Sequence, residues 1–217
     1  MMEKIKLHNE DCLIAMRQMK DNQFDLAIVD PPYGIGADEK NSTDKKQSKK
    51  SASKSKNYGN QKWDNTTPNE DFFTELKRVS SRQIVWGANF FDLKGGMLYW
   101  HKSVTMPTYS QGELAWLSWL KKVDFVSIAW HGMIQHDMKN KETRIHPTQK
   151  PVRLYEWLLD NYAKEGDKIL DTHLGSGSIA VACHNRGFDL TGFEIDKEYF
   201  DNAKERLRVH QSQLTIF

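Results

Sequence analysis

Short apolar runs alternate along the chain with segments whose apolar residues recur at helical spacing. Continuous apolar runs are typical of strands buried on both faces of a parallel sheet, and the helical spacing is typical of helices with one buried face. The predicted strands are residues 5–7, 24–29, 83–86, 97–100, 125–130, 168–170 and 190–193. Three predicted helices cover residues 12–20, 178–186 and 197–209. A fourth is capped by Thr67 and has Pro68 at its first position, and a fifth begins at Pro151 and stops before Gly166. This alternation predicts an open, mainly parallel α/β sheet, while residues 113–116 fit a strand or a helix.

Residues 37–62 interrupt the alternation, because they are rich in Lys, Ser and Asn and offer almost nothing to a core. A loop of this length inside a compact domain is usually functional or disordered. The segment fits a solvated linker, and it also fits a mobile basic loop that contacts phosphates. The candidate lysines for such phosphate contacts are Lys45, Lys46, Lys49, Lys50, Lys54 and Lys56.

Composition limits the class of protein. The 217 residues include 28% charged residues but carry a net charge of only +2, so the chain as a whole is not a polycation. No apolar run approaches the roughly 18 residues that span a bilayer, and no secretory signal follows the first residues. Cys12 and Cys183 are too few for a disulfide framework, and no Cys/His group has zinc spacing. We therefore expect a single cytoplasmic domain over residues 1–217 that binds no membrane and holds no metal.

The most informative stretch is Asp30-Pro31-Pro32-Tyr33, at the end of the predicted strand 24–29. The Asp30 carboxylate and the Pro31 carbonyl can accept both hydrogens of an exocyclic amine, and Tyr33 offers a face on which a flat ring can stack. The prolines lack an N–H and have a fixed φ, so they hold these acceptors in place. The stretch predicts a site that grips a nucleobase, with these four residues as the catalytic residues. An ordinary turn after a strand is the alternative.

A glycine-rich turn, residues 171–177, follows the predicted strand 168–170 and opens the helix 178–186. Glycines at such a turn let a ligand approach the backbone beneath a helix N-terminus. The next strand ends at Glu194, 19 residues beyond Gly175, where an acid can bind the two hydroxyls of a ribose. This order of strand, glycine turn, helix, strand and acid predicts a nucleoside cofactor.

The glycine spacing alone does not exclude NAD, because Ala180 is tolerated at the third position of the dinucleotide pattern. Asp171 discriminates better, since a carboxylate at the mouth of the turn would repel a pyrophosphate but suits the ammonium of an amino acid. Thr148 and Lys150 could hold the carboxylate of that amino acid. These residues favour S-adenosylmethionine, although residues 146–150 also fit a simple helix entry loop.

Together these segments resemble the DNA amino-methyltransferases in the permuted order called the β group. The Asp30-Pro31-Pro32-Tyr33 stretch resembles that family's catalytic motif, residues 146–151 its cofactor-side loop, and residues 171–177 its glycine loop. Glu194 matches its ribose acid, and residues 9–12 resemble the turn whose acid contacts the cofactor adenine. The resemblance covers nearly the whole chain except residues 37–62.

The resemblance implies a Rossmann-like S-adenosylmethionine-dependent methyltransferase fold, with a mainly parallel seven-stranded sheet, helices on both faces and permuted motif order. It implies methyl transfer to the N6 amine of an adenine flipped out of double-stranded DNA, because Asp in the first motif position accompanies adenine more often than cytosine. Cytosine N4 is the alternative target, and a non-catalytic DNA-binding protein with the same fold is a third reading. The implied cofactor-binding residues are Asp11, Cys12, Asp30, His146, Thr148, Lys150, Asp171, His173, Gly175, Ser176, Gly177, Ser178, Glu194 and Ile195.

Two features depart from the family pattern. His173 stands where the family usually has an apolar residue, and a charged imidazole there would disfavour the cofactor sulfonium, which predicts pH sensitivity. Residues 117–145, where a target-recognition domain would lie, form only a small insert. Sequence specificity is then expected to rest on this insert, on the basic loop or on a second subunit, since the family often forms homodimers. A cognate restriction endonuclease is a candidate partner.

Overall fold

The computed structural model describes residues 4–36, 64, 66–103, 110–131 and 134–213. The strands are β1 Ile5–His8, β2 Leu26–Val29, β3 Gln83–Trp86, β4 Gly96–His101, β5 Gly112–Leu117, β6 Val123–Ser127, β7 Trp130–His131, β8 Ile134–Gln135, β9 Lys168–Asp171 and β10 Asp189–Phe193. The helices are α1 Cys12–Arg17, α2 Glu70–Val79, α3 Val152–Tyr162, α4 Ser178–Arg186 and α5 Lys197–Gln213, with a 3-10 turn at Ala88–Phe90. None of the helices in these ranges is long and apolar enough to cross a membrane.

The main sheet has the strand order β1-β10-β9-β2-β3-β5-β4-β6. Of these described strands only β5 runs against the others, because its pairs with β3 and β4 are antiparallel and the remaining pairs are parallel. The predicted mainly parallel sheet is confirmed, with eight strands instead of seven. The eighth strand is β5, which contains residues 113–116, the segment that fitted a strand or a helix. Its pairing with β3 and β4 makes this segment a strand.

Both faces of the sheet are covered by helices. On β2, Leu26 and Ile28 belong to the core beneath α3 and α4, whereas Ala27 and Val29 belong to the core beneath α1 and α2. Successive side chains of a strand point to opposite faces, so burial of both faces requires an uninterrupted apolar run. This explains why the four residues of β2, Leu26–Val29, are all apolar and buried.

Several predicted boundaries are wrong. Helix α2 begins after Asn69, whose side chain accepts a hydrogen bond from Phe72 N at 3.1 Å, so Thr67 is not its cap and Pro68 is not its first residue. The predicted strand 125–130 is divided, because β6 ends at Ser127 and Trp130 begins a hairpin of β7 with β8. The predicted target-recognition insert, residues 117–145, therefore contributes the edge strand and this hairpin, and its role in recognition stays a prediction.

The parallel strands bring the chemically interesting residues to one edge of the sheet. The carboxyl ends of β1, β10, β9, β2 and β3 lie side by side in that order. They lead to Asp11, Glu194, Asp171, Asp30 and Gly87 respectively. Because β5 is antiparallel, its amino-terminal residues reach the same edge. Ligands of open α/β sheets bind at this edge.

Candidate active site

Asp30 follows β2 directly, and two donors fix its carboxylate. The Tyr33 hydroxyl donates to Oδ1 at 2.5 Å, and the Lys150 ammonium donates to Oδ2. A carboxylate offers about four lone-pair sites, so each oxygen can still accept one further hydrogen bond. Burial raises the pKa of Asp30, although Lys150 acts to lower it. The carboxylate is thus oriented and still able to bind a donor.

Tyr33 is packed on more than one side. Its ring stacks on Phe90, with ring centroids 4.9 Å apart and planes at 15°. A Cβ built on Gly87 would lie 2.2 Å from the Tyr33 ring carbon Cε1, so glycine is required for this approach. A base that stacks on Tyr33 must use the part of the ring that Phe90 leaves open or displace Phe90, which is 40% exposed. The stacking role of Tyr33 therefore stays a prediction.

Asp64 holds the turn that carries Tyr33, a role that no local sequence pattern indicates. Its Oδ1 accepts hydrogen bonds from Tyr33 N at 2.6 Å and from Gly34 N at 3.0 Å. Its own carbonyl accepts one from Gly36 N at 3.1 Å. Asp64 is 1% exposed, so these amides are tied to a buried carboxylate. The contact spans more than thirty residues and cannot be inferred from local spacing.

Lys150 lies on the Asp30 side of the site, not with the glycine turn. Besides Asp30, its Nζ is 3.2 Å from Glu113 Oε2 and 3.3 Å from the Tyr33 hydroxyl. Glu113 Oε1 is in turn 2.5 Å from Lys102 Nζ. In this structure Lys150 pairs with two carboxylates of the chain itself, so its ammonium is already neutralised. Its predicted contact with a cofactor carboxylate stays a prediction.

The glycine turn and Glu194 form the second part of the site. Glu194 Oε2 accepts a hydrogen bond from Gly175 N at 2.8 Å, and its Oε1 accepts one from Asp196 N at 2.9 Å. Burial raises the pKa of Glu194. The acid after β10 therefore bonds directly to the glycine turn after β9, as a cofactor site between these strands requires. A Cβ on Gly175 would lie 3.8 Å from the His146 ring, so turn and ring face each other across a narrow gap.

Two titratable groups of the turn are uncharged near neutral pH. Burial raises the pKa of Asp171 to about 8, even though its carboxylate accepts a hydrogen bond from His173 N at 3.0 Å. Burial lowers the pKa of His173 to about 4, and its ring packs edge-on against Phe72. His173 thus behaves as a neutral aromatic ring above about pH 5, which confines the predicted pH sensitivity of this residue to acid conditions.

The other predicted cofactor residues surround this turn in different ways. Asp11 accepts hydrogen bonds from Leu13 N and Ile14 N, so in this structure it caps α1. Next to it, burial raises the pKa of the Cys12 thiol to about 12. Ile195 is 67% exposed beside Glu194. The predicted contact of Asp11 with the cofactor adenine, and the cofactor-binding roles of Cys12 and Ile195, stay predictions.

His146 and Thr148 bond to each other, with Thr148 Oγ1 3.1 Å from His146 Nδ1. Burial lowers the pKa of His146 to about 3. Ser176 and Ser178 lie behind the turn: their hydroxyls are 3.0 Å apart, and Arg206 donates to Ser176 O and Ser178 Oγ. These contacts make the serines supports of the turn, with Gly177 in the left-handed conformation as the N-cap of α4.

A cavity of about 880 Å³ opens in front of Asp30. Its lining includes Asp30, Tyr33, Lys102, Glu113, Arg144 and Lys150. Sites for small molecules usually have volumes in this range. The glycine turn and Glu194 are not among the residues that line this cavity, so Asp30 lies between the cavity and the neighbouring strands that carry the turn and this acid. That arrangement suits a reaction in which two molecules meet at one carboxylate.

A parallel sheet with a glycine turn after β9 and an acid after β10 defines the Rossmann-like fold of the S-adenosylmethionine-dependent methyltransferases. Two solved structures confirm this fold. The complex of M1.HpyAVI with S-adenosylmethionine matches with a TM-score of 0.57 and 19% identity over 93% of this chain and 99% of that one. The PvuII DNA methyltransferase, which is cytosine-N4-specific, matches with a TM-score of 0.57 and 13% identity over 97% of this chain and 92% of that one.

The chain belongs to the N6/N4 DNA methylase family, whose model matches residues 52–205. The type II methyltransferase M.HpaI of Haemophilus parainfluenzae is 44% identical over 68 residues, which are 31% of this chain and 22% of that protein. The type II methyltransferase M2.LlaDCHI of Lactococcus lactis subsp. cremoris is 29% identical over 145 residues, which are 67% of this chain and 48% of that protein. The chain thus spans less than half the length of these curated relatives. The resemblance inferred from the sequence is confirmed.

Proposed function

We propose that the chain transfers the methyl group of S-adenosylmethionine to the exocyclic N6 amine of an adenine in double-stranded DNA. The Asp30 carboxylate is the observation that carries the proposal. It is oriented by Tyr33 and Lys150, it keeps acceptor capacity on both oxygens, and it faces a cavity. Asp171 and Glu194, on neighbouring strands at the same edge, are the acids that an amino-acid ammonium and ribose hydroxyls require.

Asp30 and Pro31 would activate the amine. An aromatic amine is a poor nucleophile because its lone pair is delocalised into the ring. When Asp30 accepts one amine hydrogen and the Pro31 carbonyl accepts the other, the nitrogen moves toward tetrahedral geometry and its lone pair is exposed. The fixed φ of Pro31 and Pro32 keeps the two acceptors in place. Catalysis is then mainly positioning and electrostatics, and the bound cofactor supplies an electrophilic methyl group.

The proton balance of the reaction also involves Asp30. The nitrogen gains a methyl group and gives up one hydrogen as a proton, for which the adjoining carboxylate is the nearest base. Because burial raises the pKa of Asp30, this carboxylate is a better proton acceptor than one in water.

The target base would be flipped out, because a stacked base of a duplex cannot reach a buried carboxylate. The cavity in front of Asp30 is large enough for a base, and Arg144 in its lining brings positive charge toward the DNA backbone. The candidate lysines for phosphate contacts lie outside the described residues. A second subunit and a restriction endonuclease stay predictions.

Adenine is favoured over cytosine by Asp30 itself, because the family resemblance associates Asp in this position with adenine. The amine of cytosine N4 presents the same two hydrogens, so the acceptor geometry alone supports both targets. Cytosine N4 is therefore the alternative product that an experiment must distinguish.

The proposal predicts that purified protein transfers labelled methyl groups from S-adenosylmethionine to DNA. Replacement of Asp30 by alanine should reduce transfer by roughly a hundredfold to a thousandfold, because the amine loses its charged acceptor. Cofactor affinity, measured by calorimetry, should change little. Digestion of the labelled DNA to nucleosides identifies N6-methyladenine or N4-methylcytosine by mass.

If the label is found in N4-methylcytosine, the target base is cytosine and not adenine. Absence of label with the wild-type chain, together with retained DNA binding, would instead support a non-catalytic DNA-binding protein. Wild-type turnover of the Asp30→Ala variant would refute the role given to Asp30.

A further inference from the structure

Glu113 stands between two lysines at the edge of the site. It is the second residue of β5, and the antiparallel direction of this strand brings it beside the turn after β2. Its Oε1 is 2.5 Å from Lys102 Nζ and its Oε2 is 3.2 Å from Lys150 Nζ. Lys150 in turn pairs with Asp30. Four charged groups therefore form a chain with equal numbers of positive and negative charges.

Lys150 is the buried member of this chain, with its side chain only 3% exposed. A buried ammonium needs charged partners, because taking it out of water costs several kcal/mol. Asp30 alone would already neutralise Lys150, so the presence of Glu113 is not explained by charge compensation of this lysine. Glu113 adds a second carboxylate and then needs Lys102 as its own partner.

A second carboxylate changes the surroundings of the Lys150 ammonium. In the structure its Nζ donates hydrogen bonds to Asp30 Oδ2 and to the Tyr33 hydroxyl, and Glu113 Oε2 attracts it from the other side as an ion-pair partner at 3.2 Å that receives no hydrogen bond. Without Glu113, Lys150 is free to turn toward Asp30 and take up the acceptor sites that an amine needs. With Glu113 in place, Lys150 uses one lone pair of Asp30 Oδ2 and Tyr33 uses one of Oδ1, so each oxygen keeps one acceptor site.

We propose that Glu113 is a positioning residue for methyl transfer: it holds the Lys150 ammonium so that Asp30 is oriented yet still able to accept hydrogens of the target amine. This inference rests on the proposed function, because it assigns Glu113 a role in the same step.

The titration behaviour of the cluster agrees with the geometry. Burial would raise the pKa of Glu113, but Lys150 and Lys102 outweigh it and lower that pKa to about 2. Burial would lower the pKa of Lys150, but Asp30 and Glu113 outweigh it and raise that pKa. Tyr33, His146 and Asp171 are other titratable groups that interact with this ammonium. Tyr33 and His146 stay uncharged near neutral pH, because burial raises the pKa of Tyr33 and lowers that of His146. Asp171, whose pKa burial raises to about 8, gains its charge as pH rises through that value in the wild type and in the variants alike.

The test is the Glu113→Gln variant, which keeps the shape of the side chain and removes its charge. We expect its single-turnover methyl transfer to fall by about tenfold or more near neutral pH, while cofactor affinity stays within about threefold of wild type. The difference in rate between the wild type and Glu113→Gln should widen as pH rises. In the variant Lys150 has lost one of the two carboxylates that raise its pKa, so its pKa is lower and it loses its proton at a lower pH than in the wild type. The matched control is Glu75→Gln, which removes the charge of a partly buried glutamate paired with Arg78 on α2, away from the site.

A second measurement does not depend on activity. The ammonium resonance of Lys150, assigned from its absence in a Lys150→Arg variant, can be titrated by nitrogen-15 NMR in the wild type and in Glu113→Gln. We expect a lower Lys150 pKa in Glu113→Gln and an unchanged one in Glu75→Gln.

Unchanged rates at all pH values, or an unchanged Lys150 titration, would overturn the inference. A rate loss equal to that of Glu75→Gln would also overturn it, since it would show a general structural effect. If the wild-type chain transfers no methyl group, the proposed function fails. The titration then still decides whether Glu113 controls the state of Lys150.

Discussion

Asp171 illustrates how burial sets the state of a single residue. Its side chain sits at the end of β9 with 2% exposure, and its pKa is raised to about 8 by burial and further by the nearby carboxylates of Asp30 and Glu194. Near neutral pH the cofactor-free protein therefore holds Asp171 mostly protonated. A carboxylate that pairs with the ammonium of a bound amino acid must first lose that proton.

Cofactor affinity is therefore expected to depend on pH through Asp171. Below its pKa, binding has to include deprotonation, so affinity should rise by up to about tenfold per pH unit between about pH 6 and pH 8 and then level off. Calorimetry in two buffers with different ionisation enthalpies should show release of about one proton near neutral pH. Asp171→Asn should bind more weakly and lose this pH dependence. A wild-type affinity that is constant over the same range would contradict the pairing.

Element packing explains why the catalytic turn depends on the strand beside it. Gly87 follows β3 with a φ of 74°, and its N–H donates to Leu114 O of β5 at 2.9 Å. This left-handed residue lies against the Tyr33 ring, which is carried by the turn after β2. The geometry of Tyr33 is thus set by two strands, β2 through the chain and β3 through Gly87.

Replacement of Gly87 by alanine should displace Tyr33 and reduce methyl transfer by roughly a hundredfold, with cofactor affinity retained. Backbone strain at a positive φ adds about 1 kcal/mol or more of destabilisation. Gly166→Ala is the matched control, because Gly166 has a φ of 85° but a Cβ there would meet nothing within 4 Å. Gly166→Ala should have a lower free energy of unfolding in chemical denaturation, because of the backbone strain, and should keep the wild-type rate of methyl transfer. Equal losses of activity in both variants would show that strain alone, and not contact with Tyr33, is responsible.

The local pattern of the sequence was sufficient for most elements. The strands over residues 83–86 and the helix over residues 178–186 have the predicted bounds, because apolar runs and a glycine after the helix are local signals. The parallel sheet then necessarily brings Asp30, Asp171 and Glu194 to one edge. The cap of α2 was missed because Thr67 and Asn69 are both good caps, and only the path of the chain selects between them.

Contacts between distant segments were not predictable. Lys150 pairs with Asp30 across 120 positions of the chain, a contact that local spacing could not indicate. The sequence of β5 fitted a strand or a helix, because its structure is decided by pairing with β3 and β4, two strands that lie outside its own local sequence pattern. Asp64 and Glu113 belong to the site through contacts of the same long-range kind.

At the scale of the whole molecule, Arg206 connects parts that are far apart in sequence. From α5 it donates to Ser176 O and Ser178 Oγ of the glycine turn and pairs with Glu142, whose other oxygen accepts from Val152 N at the start of α3. Both members of the Arg206–Glu142 pair are mostly buried, at 17% and 22% side-chain exposure. The last helix therefore fastens the glycine turn to the segment that precedes α3.

Loss of this connection should destabilise the protein as a whole. We expect Arg206→Ala to lower the free energy of unfolding by roughly 3 kcal/mol, because Glu142 is left with an uncompensated buried charge. Urea unfolding followed by circular dichroism measures this change. Arg208→Ala on the same helix removes only an exposed pair with Glu205 and should unfold like the wild type. Comparable unfolding midpoints for the two variants would show that Arg206 does not carry this role.

The position of β9 has a consequence for how the protein is made. β9 lies between β2 and β10, so the strand that leads to Asp30 keeps an open hydrogen-bonding edge while the chain is being synthesised. That edge is closed only when residues 168–171 have left the ribosome, about 140 positions after Asp30 itself. Until then β2 is an edge strand and β1 lacks β10, the strand with which it pairs, so the strands made last connect β1 to the rest of the described sheet.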